Sequence, residues 1–220
     1  MLIMSLVNDF CHIYLLSVPD IWLYAMKTVP LQQHYYDDGM MKTERITLRP
    51  WLDTDAEALY KYASDPEVGP QAGWPPHQSG QESLEIIRTV FNNPTTWAIV
   101  WNETGEAIGA MGYGPSCECS LPSREGEPTV GYWVGKPYWG KGICTEALRL
   151  MIRQIRETTD IKSLISGHFI SNPASGRVME KCGFLPTGET AFDDKLYQGA
   201  DKPIRILRLV LSDTEKQHTE

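Results

Sequence analysis

The segment Tyr138-Trp139-Gly140-Lys141-Gly142-Ile143-Cys144 has the make-up of an anion cradle. Glycine lets the backbone approach a ligand closely, the first N–H groups of a helix have no partner inside it, and the helix dipole favours negative charge there. Downstream, Ile143, Ala147, Leu150, Met151 and Ile155 recur at the helical period, which predicts an amphipathic helix through about Glu157. Upstream, Thr129 to Val134 predicts a strand. The spacing excludes the two common nucleotide loops. A Walker loop ends in Gly-Lys followed by Ser or Thr, whereas Gly142 follows Gly140-Lys141 here. A dinucleotide fingerprint requires a third glycine where this chain has Thr145.

Other side chains of reactive type lie on neighbouring elements. Ser175 belongs to Asn172-Pro173-Ala174-Ser175, the start of a second predicted helix with Asn172 as cap, Pro173 in its first turn and Gly183 at its end. His168 lies on a predicted strand from Ser163 to Ile170. Its ordinary pKa suits base chemistry near neutral pH, and a structural histidine fits the same position. Glu127 stands just before the Thr129–Val134 strand, at the end of a polar loop. Trp74 and His77 fall in the Pro- and Gly-rich stretch from Asp65 to His77, where they are candidates to wall a substrate pocket. A packing anchor is the alternative for the tryptophan. Cys117-x-Cys119 has no second Cys or His pair nearby, so no metal site is expected.

The elements that must position these groups are legible in outline. Arg45 to Leu52 alternates as a strand, and Thr54-Asp55-Ala56-Glu57 and Ser79-Gly80-Gln81-Glu82 are capping boxes opening helices to about Ser64 and Asn92. Trp97 to Trp101 and Ile108 to Tyr113 form a hairpin, residues 114–127 a polar insertion, and Ile204 to Leu211 a closing strand. A chain of 220 residues with 42% hydrophobic content suits one domain with its own core. The net charge of −8 argues against a nucleic-acid partner. Five cysteines, an odd count, give no disulfide framework, and a reducing cytoplasm is expected. The first 40 residues are apolar only in patches, interrupted by Asp9, His12, Pro19 and Asp20, so neither a membrane span nor a secretory signal is expected. A catalytic domain is expected over residues 41–212, after an extension or mis-assigned start at 1–40 and before a polar tail at 213–220.

Two motifs taken together resemble a known family. Tyr138 to Leu148 resembles the acetyl-CoA pyrophosphate loop of the GNAT N-acetyltransferases, and Asn172 to Phe184 resembles the second hallmark of that family. Arg45-Ile46-Thr47-Leu48-Arg49-Pro50-Trp51 looks like the opening strand of its ribosomal-protein alanine N-acetyltransferase branch. Pro137 stands where many relatives carry Gln or Arg.

The resemblance implies an α/β fold of the α+β kind: a mixed, mostly antiparallel central sheet flanked by helices, with two central strands splayed apart. It implies direct acetyl transfer from acetyl-CoA to a primary amine, on a protein N-terminus or a small molecule, with CoA as product. It places Trp139, Gly140, Lys141, Gly142, Ile143 and Cys144 at the pyrophosphate. It places the strand edge at Trp133 and Val134 along the pantetheine arm, with a backbone N–H near Val134 at the reacting carbonyl. Asn172 is implied at the pantetheine amides, and Lys181 either at a phosphate or facing solvent. Ser175 is implied as the acid for the leaving thiolate, with helix capping or a cofactor hydrogen bond as its alternative. The family's usual tyrosine is replaced by Met179. His168 or Glu127 is the expected base, and a homodimer is compatible with the pattern. Because methionine donates no proton, a non-catalytic acyl-CoA sensor on the same fold stays open.

Overall fold

In β1 (Ile46–Arg49), buried Ile46 and Leu48 alternate with half-buried Thr47 and Arg49, as one covered sheet face requires. The computed structural model describes residues 41–115 and 121–211. The expected extension at 1–40, the pair Cys117-x-Cys119 and the tail at 213–220 lie outside the described residues. β1 pairs with β2 (Thr96–Trp101), β2 with β3 (Glu106–Gly114), and β3 with β4 (Thr129–Val134), all antiparallel. β5 (Ser163–Phe169), β6 (Leu185–Ala191) and β7 (Ile204–Val210) complete a seven-stranded sheet in the order β1-β2-β3-β4-β5-β7-β6. The implied mixed sheet is found, with β4 and β5 running parallel.

Five helices accompany the sheet among the described residues: α1 (Ala56–Ala63), α2 (Gly69–Ala72), α3 (Gly80–Thr89), α4 (Ile143–Thr158) and α5 (Pro173–Lys181). α3 starts as its capping pattern predicts, with Ser79 Oγ accepting from the Glu82 amide at 3.1 Å. α1 does not start at Thr54. A short turn over Asp53–Asp55 precedes it, and Asp55 stands at the cap position without a side-chain cap bond, its carboxylate gripped instead by both Arg49 Nη atoms at 2.6 and 2.8 Å and by the Leu52 amide at 2.9 Å. α2 is too short to carry a periodic signal. β6 is masked in the sequence by Pro186 and Gly188, which an edge strand tolerates at its register shift.

The central departure from a regular sheet is between β4 and β5. β4 is buried along its whole length and pairs with β3 through six residues. It meets β5 at a single register pair, Thr129↔Ile165. One step on, Ser166 Oγ still reaches the Val130 carbonyl at 2.9 Å. From Gly131 to Val134 the two strands part. The root of this gap is pinned from below. Glu127 accepts from Arg208 Nε at 2.7 Å and from Nη2 at 3.1 Å, and Arg208 sits opposite Ile165 on β7. Burial alone would raise the Glu127 carboxyl, but Arg208, Ser163 and the Arg124 amide outweigh it and hold it below the ordinary carboxylate value.

Glu127 is therefore a structural anchor and not the expected base: both of its oxygens are committed. Removing its charge leaves the half-buried Arg208 guanidinium without its counter-ion, with the Pro122 carbonyl as its remaining partner. Glu127→Gln is expected to cost about 3 kcal/mol, a Tm drop of roughly 6–12 °C for a domain of this size. The carboxyl titrates lower in the folded than in the unfolded chain, so its contribution is present above the ordinary carboxylate range and is lost as pH falls through the folded value. Thermal melts at neutral and acid pH check both points. A variant as stable as wild type, with the same acid sensitivity, contradicts the anchor.

Candidate active site

β4 delivers the chain directly into the glycine loop. The Gly135 amide donates to the Ile108 carbonyl of β3 at 2.8 Å, a short turn spans Lys136–Tyr138, and Trp139 Nε1 returns to the Val134 carbonyl at 2.8 Å. Gly140 and Gly142 then take φ of 73° and 77°. A Cβ at Gly140 would meet nothing within 4 Å, so the demand for glycine is conformational, not steric. Gly142 caps α4 without any side-chain acceptor, and the first bond inside the helix runs from the Glu146 amide to the Gly142 carbonyl at 3.0 Å. The amides of Ile143, Cys144 and Thr145 thus have no partner within the helix. Burial pushes the Cys144 thiol up, so this residue offers its backbone and not a thiolate.

The gap supplies the remaining groups. Peptide groups alternate along a strand. Since Gly135 donates toward β3, the Val134 N–H points to the opposite edge, into the gap. Trp133 has its carbonyl against Gly109 of β3 and its ring on the other face, so it lines the strand without reaching that edge. On the far side, Asn172 caps α5 through Oδ1, which accepts from the Ser175 amide at 3.4 Å. Its Nδ2 is buried with no partner in the protein. Trp51 Nε1 and Trp133 Nε1 are buried without a partner as well, and Asn172 Nδ2 differs from them in standing at the first turn of the helix that carries Ser175. Ser175 is fully buried; Tyr132 Oη donates to its carbonyl at 2.9 Å and lies 3.2 Å from its Oγ. Burial holds the Tyr132 phenol protonated. Tyr132 was not among the expected site residues. Its only signal in the sequence is a tyrosine inside a mostly apolar strand, where a buried hydroxyl has to find a partner.

Several expected residues go elsewhere. His168 is buried with Nδ1 at 2.8 Å from the Phe169 carbonyl, and a Cβ on Gly176 would come within 2.6 Å of its Nε2. Burial lowers its pKa, so the ring is held neutral where β5 packs on α5, with Nε2 toward Gly176. His77 is buried at 2.8 Å from Ser83 Oγ, and burial lowers its pKa to about 4. Trp74 is buried edge-on against Trp133, with ring centroids 5.6 Å apart. Both are packing residues behind β4, not pocket walls. Lys181 is exposed and lines a shallow depression beside Gly142 with Arg45, Glu146 and Arg149. Lys141 is exposed, with Nζ 5.5 Å from the Tyr138 ring. Met179 is fully buried in the core.

These residues fit acetyl-CoA: a helix start with free amides for the diphosphate, an open strand edge for the arm, and an unpartnered Asn172 donor beside it. Gly142→Ala forces a side chain into the left-handed region at a cost of about 1–2 kcal/mol. Affinity for CoA is expected to fall about tenfold by equilibrium binding. Unchanged affinity contradicts the placement of the diphosphate.

Among the described residues, no group of three or more His, Cys, Asp or Glu could hold a metal ion, and no helix is long and apolar enough to cross a membrane. Residues 45–185 match the family described as acetyltransferase (GNAT) domain, more than half of the chain. The chain is 30% identical over 115 residues to the uncharacterized N-acetyltransferase p20 of Bacillus licheniformis, covering 50% of this chain and 62% of that protein, less than two thirds of its length. It is 25% identical over 154 residues to the uncharacterized N-acetyltransferase YoaA of Bacillus subtilis, covering 68% and 84%. The fold is also that of the microcin C7 self-immunity acetyltransferase MccE, solved with acetyl-CoA and AMP, at a TM-score of 0.64 and 19% identity over 79% of this chain and all of that one. With its loop, its parted strands and its Asn172 motif in that order, the chain belongs to the GNAT acetyltransferase family.

Proposed function

We propose that this protein is an acetyl-CoA-dependent N-acetyltransferase that acts by direct transfer to a primary amine, on a protein N-terminus or a small molecule. The observation that supports this reading is the parting of β4 from β5 beyond Thr129, which leaves the Val134 N–H on the unpaired edge of β4 next to the glycine loop, while Tyr132 of the same strand meets Ser175 at the start of α5. Bound acetyl-CoA supplies an acetyl group activated as a thioester. The backbone from Trp139 to Thr145 holds the diphosphate, and Asn172 Nδ2 donates to an amide carbonyl of the arm. The Val134 N–H faces the oxygen that gains negative charge as the amine attacks, a donor worth about 3 kcal/mol. Ser175 Oγ gives its proton to the departing sulfur and regains one from the attacking amine nitrogen through solvent, so CoA leaves as the thiol and the acceptor as the neutral amide. Tyr132 fixes Ser175 for that role through the carbonyl and hydroxyl contacts. Free Cys144 and Cys182 support a reducing, cytoplasmic setting.

Burial of Met179 where the family usually has a tyrosine favours one other reading, a non-catalytic acyl-CoA sensor. Thiol release from acetyl-CoA in the presence of an amine panel separates the two. Turnover with at least one amine is expected. Ser175→Ala is expected to lower kcat by about 100-fold or more, the scale of one acid catalyst, with KM for acetyl-CoA little changed. Tyr132→Phe is expected to give a smaller drop in kcat with the same KM. Acetyl-CoA binding without thiol release for any amine favours the sensor, and wild-type kcat in Ser175→Ala removes the serine from the acid role.

A further inference from the structure

The chain leading into β1 reaches across to the glycine loop. Thr43 Oγ1 donates to Glu146 Oε1, in the first turn of α4. Arg45 Nε donates to Glu146 Oε2 at 2.9 Å, and Arg45 Nη2 pairs with the same oxygen. Arg45 Nη1 donates to the Lys141 carbonyl at 3.1 Å, inside the loop itself. The guanidinium lies 4.0 Å from where a Cβ on Gly142 would stand. Its own backbone is fixed in turn. Asn102 Nδ2 donates to the Thr43 and Glu44 carbonyls at 2.9 and 3.0 Å, and the Asn102 amide donates to the Arg45 carbonyl at 2.9 Å.

Two physical consequences follow. A carboxylate in the first turn of a helix answers the positive end of the dipole. Glu146 therefore competes with any anionic ligand for the field that the loop offers. Arg45 and Thr43 tie up both Glu146 oxygens and cancel that charge. The second consequence concerns one peptide group. In a planar trans peptide the C=O and N–H point in opposite directions. Drawing the Lys141 carbonyl toward Arg45 fixes the orientation of the Lys141–Gly142 peptide and turns the Gly142 N–H away from the guanidinium.

We propose that Arg45 is a positioning residue for the acyl donor, which holds the Lys141–Gly142 peptide and neutralises Glu146 so that the loop accepts a diphosphate. This rests on the reading of the loop as the acetyl-CoA site. The role is specific to donors that carry a diphosphate. The same thioester without it, S-acetylpantetheine, uses the gap and not the loop.

The test compares kcat/KM for acetyl-CoA and for S-acetylpantetheine in wild type, Arg45→Ala and Arg45→Ala/Glu146→Gln. Arg45→Ala is expected to raise KM for acetyl-CoA about tenfold, the scale of one charge at a helix terminus. Its kcat, its acceptor KM and its kcat/KM for S-acetylpantetheine stay near wild type. Removing the Glu146 charge in the double variant restores most of the lost acetyl-CoA affinity. Equal losses for both donors reduce Arg45 to a general structural role and overturn the proposal. Failure of the second substitution to restore affinity overturns the neutralising role. If Arg45→Ala does not fold, Arg45→Gln carries the same comparison. A wild-type protein that does not bind acetyl-CoA in equilibrium binding refutes the site reading itself, an outcome distinct from either of these.

Discussion

β4 is buried on both faces and yet lacks a neighbour along most of one edge, a combination that a closed sheet never tolerates. Buried backbone donors and acceptors need partners. The structure answers this demand piece by piece. Ser166 Oγ serves the Val130 carbonyl and Trp139 Nε1 serves the Val134 carbonyl. What remains is an edge whose N–H groups face a cleft, ready to pair with an extended ligand that carries amides of its own. The opening is held at a fixed width by ties at its two ends. Glu127 and Arg208 lock the root, and Tyr132 reaches from β4 to the first turn of α5. The parted strands are thus held open by buried polar contacts, not by flexibility.

The glycine loop stands at the open end of the same cleft, which is why one ligand can use both. α4 packs ten buried residues, Ile143 to Ile155, against the sheet and so fixes the direction of its dipole. The left-handed turns at Gly140 and Gly142 bring the chain from the end of β4 to the start of that helix and leave its first amides without a side-chain acceptor. On the other face, Trp74 backs Trp133, and the Tyr197 amide bonds the Gly73 carbonyl at 2.8 Å, so the loop before β7 closes over α2. The donor side is thereby rigid down to single peptide groups.

What the sequence reveals and what it hides divide along a physical line. Local signals are legible. The helical period of α4, the β2–β3 hairpin, the Ser79 cap, the glycine pair and the Asn172 cap all depend on residues a few positions apart. The contacts that make a site depend on residues far apart in the chain. Tyr132 meets Ser175 across 43 positions, and Glu127 meets Arg208 across 81. No periodicity reports such pairs. Residue type alone misleads in the same places. His168 and His77 are of a type suited to proton transfer, but burial keeps both neutral and Nδ1 of each is engaged by a protein partner. Glu127 is of a type suited to base chemistry, but an arginine from the other end of the domain claims it. The family's usual tyrosine on α5 is absent, while Tyr132, on a strand, brings a hydroxyl to the same helix from the opposite wall.

The central claim is that the gap between β4 and β5 exists to hold the thioester arm. A crystal structure of the full chain with CoA tests it most directly. The account predicts the diphosphate at the amides of Ile143 to Thr145, the pantetheine arm along the free edge of β4 with Asn172 Nδ2 on one of its carbonyl oxygens, and the sulfur beside Ser175 Oγ with the Tyr132 contact intact. An arm lying outside the gap, with β4 and β5 closed on each other, contradicts it.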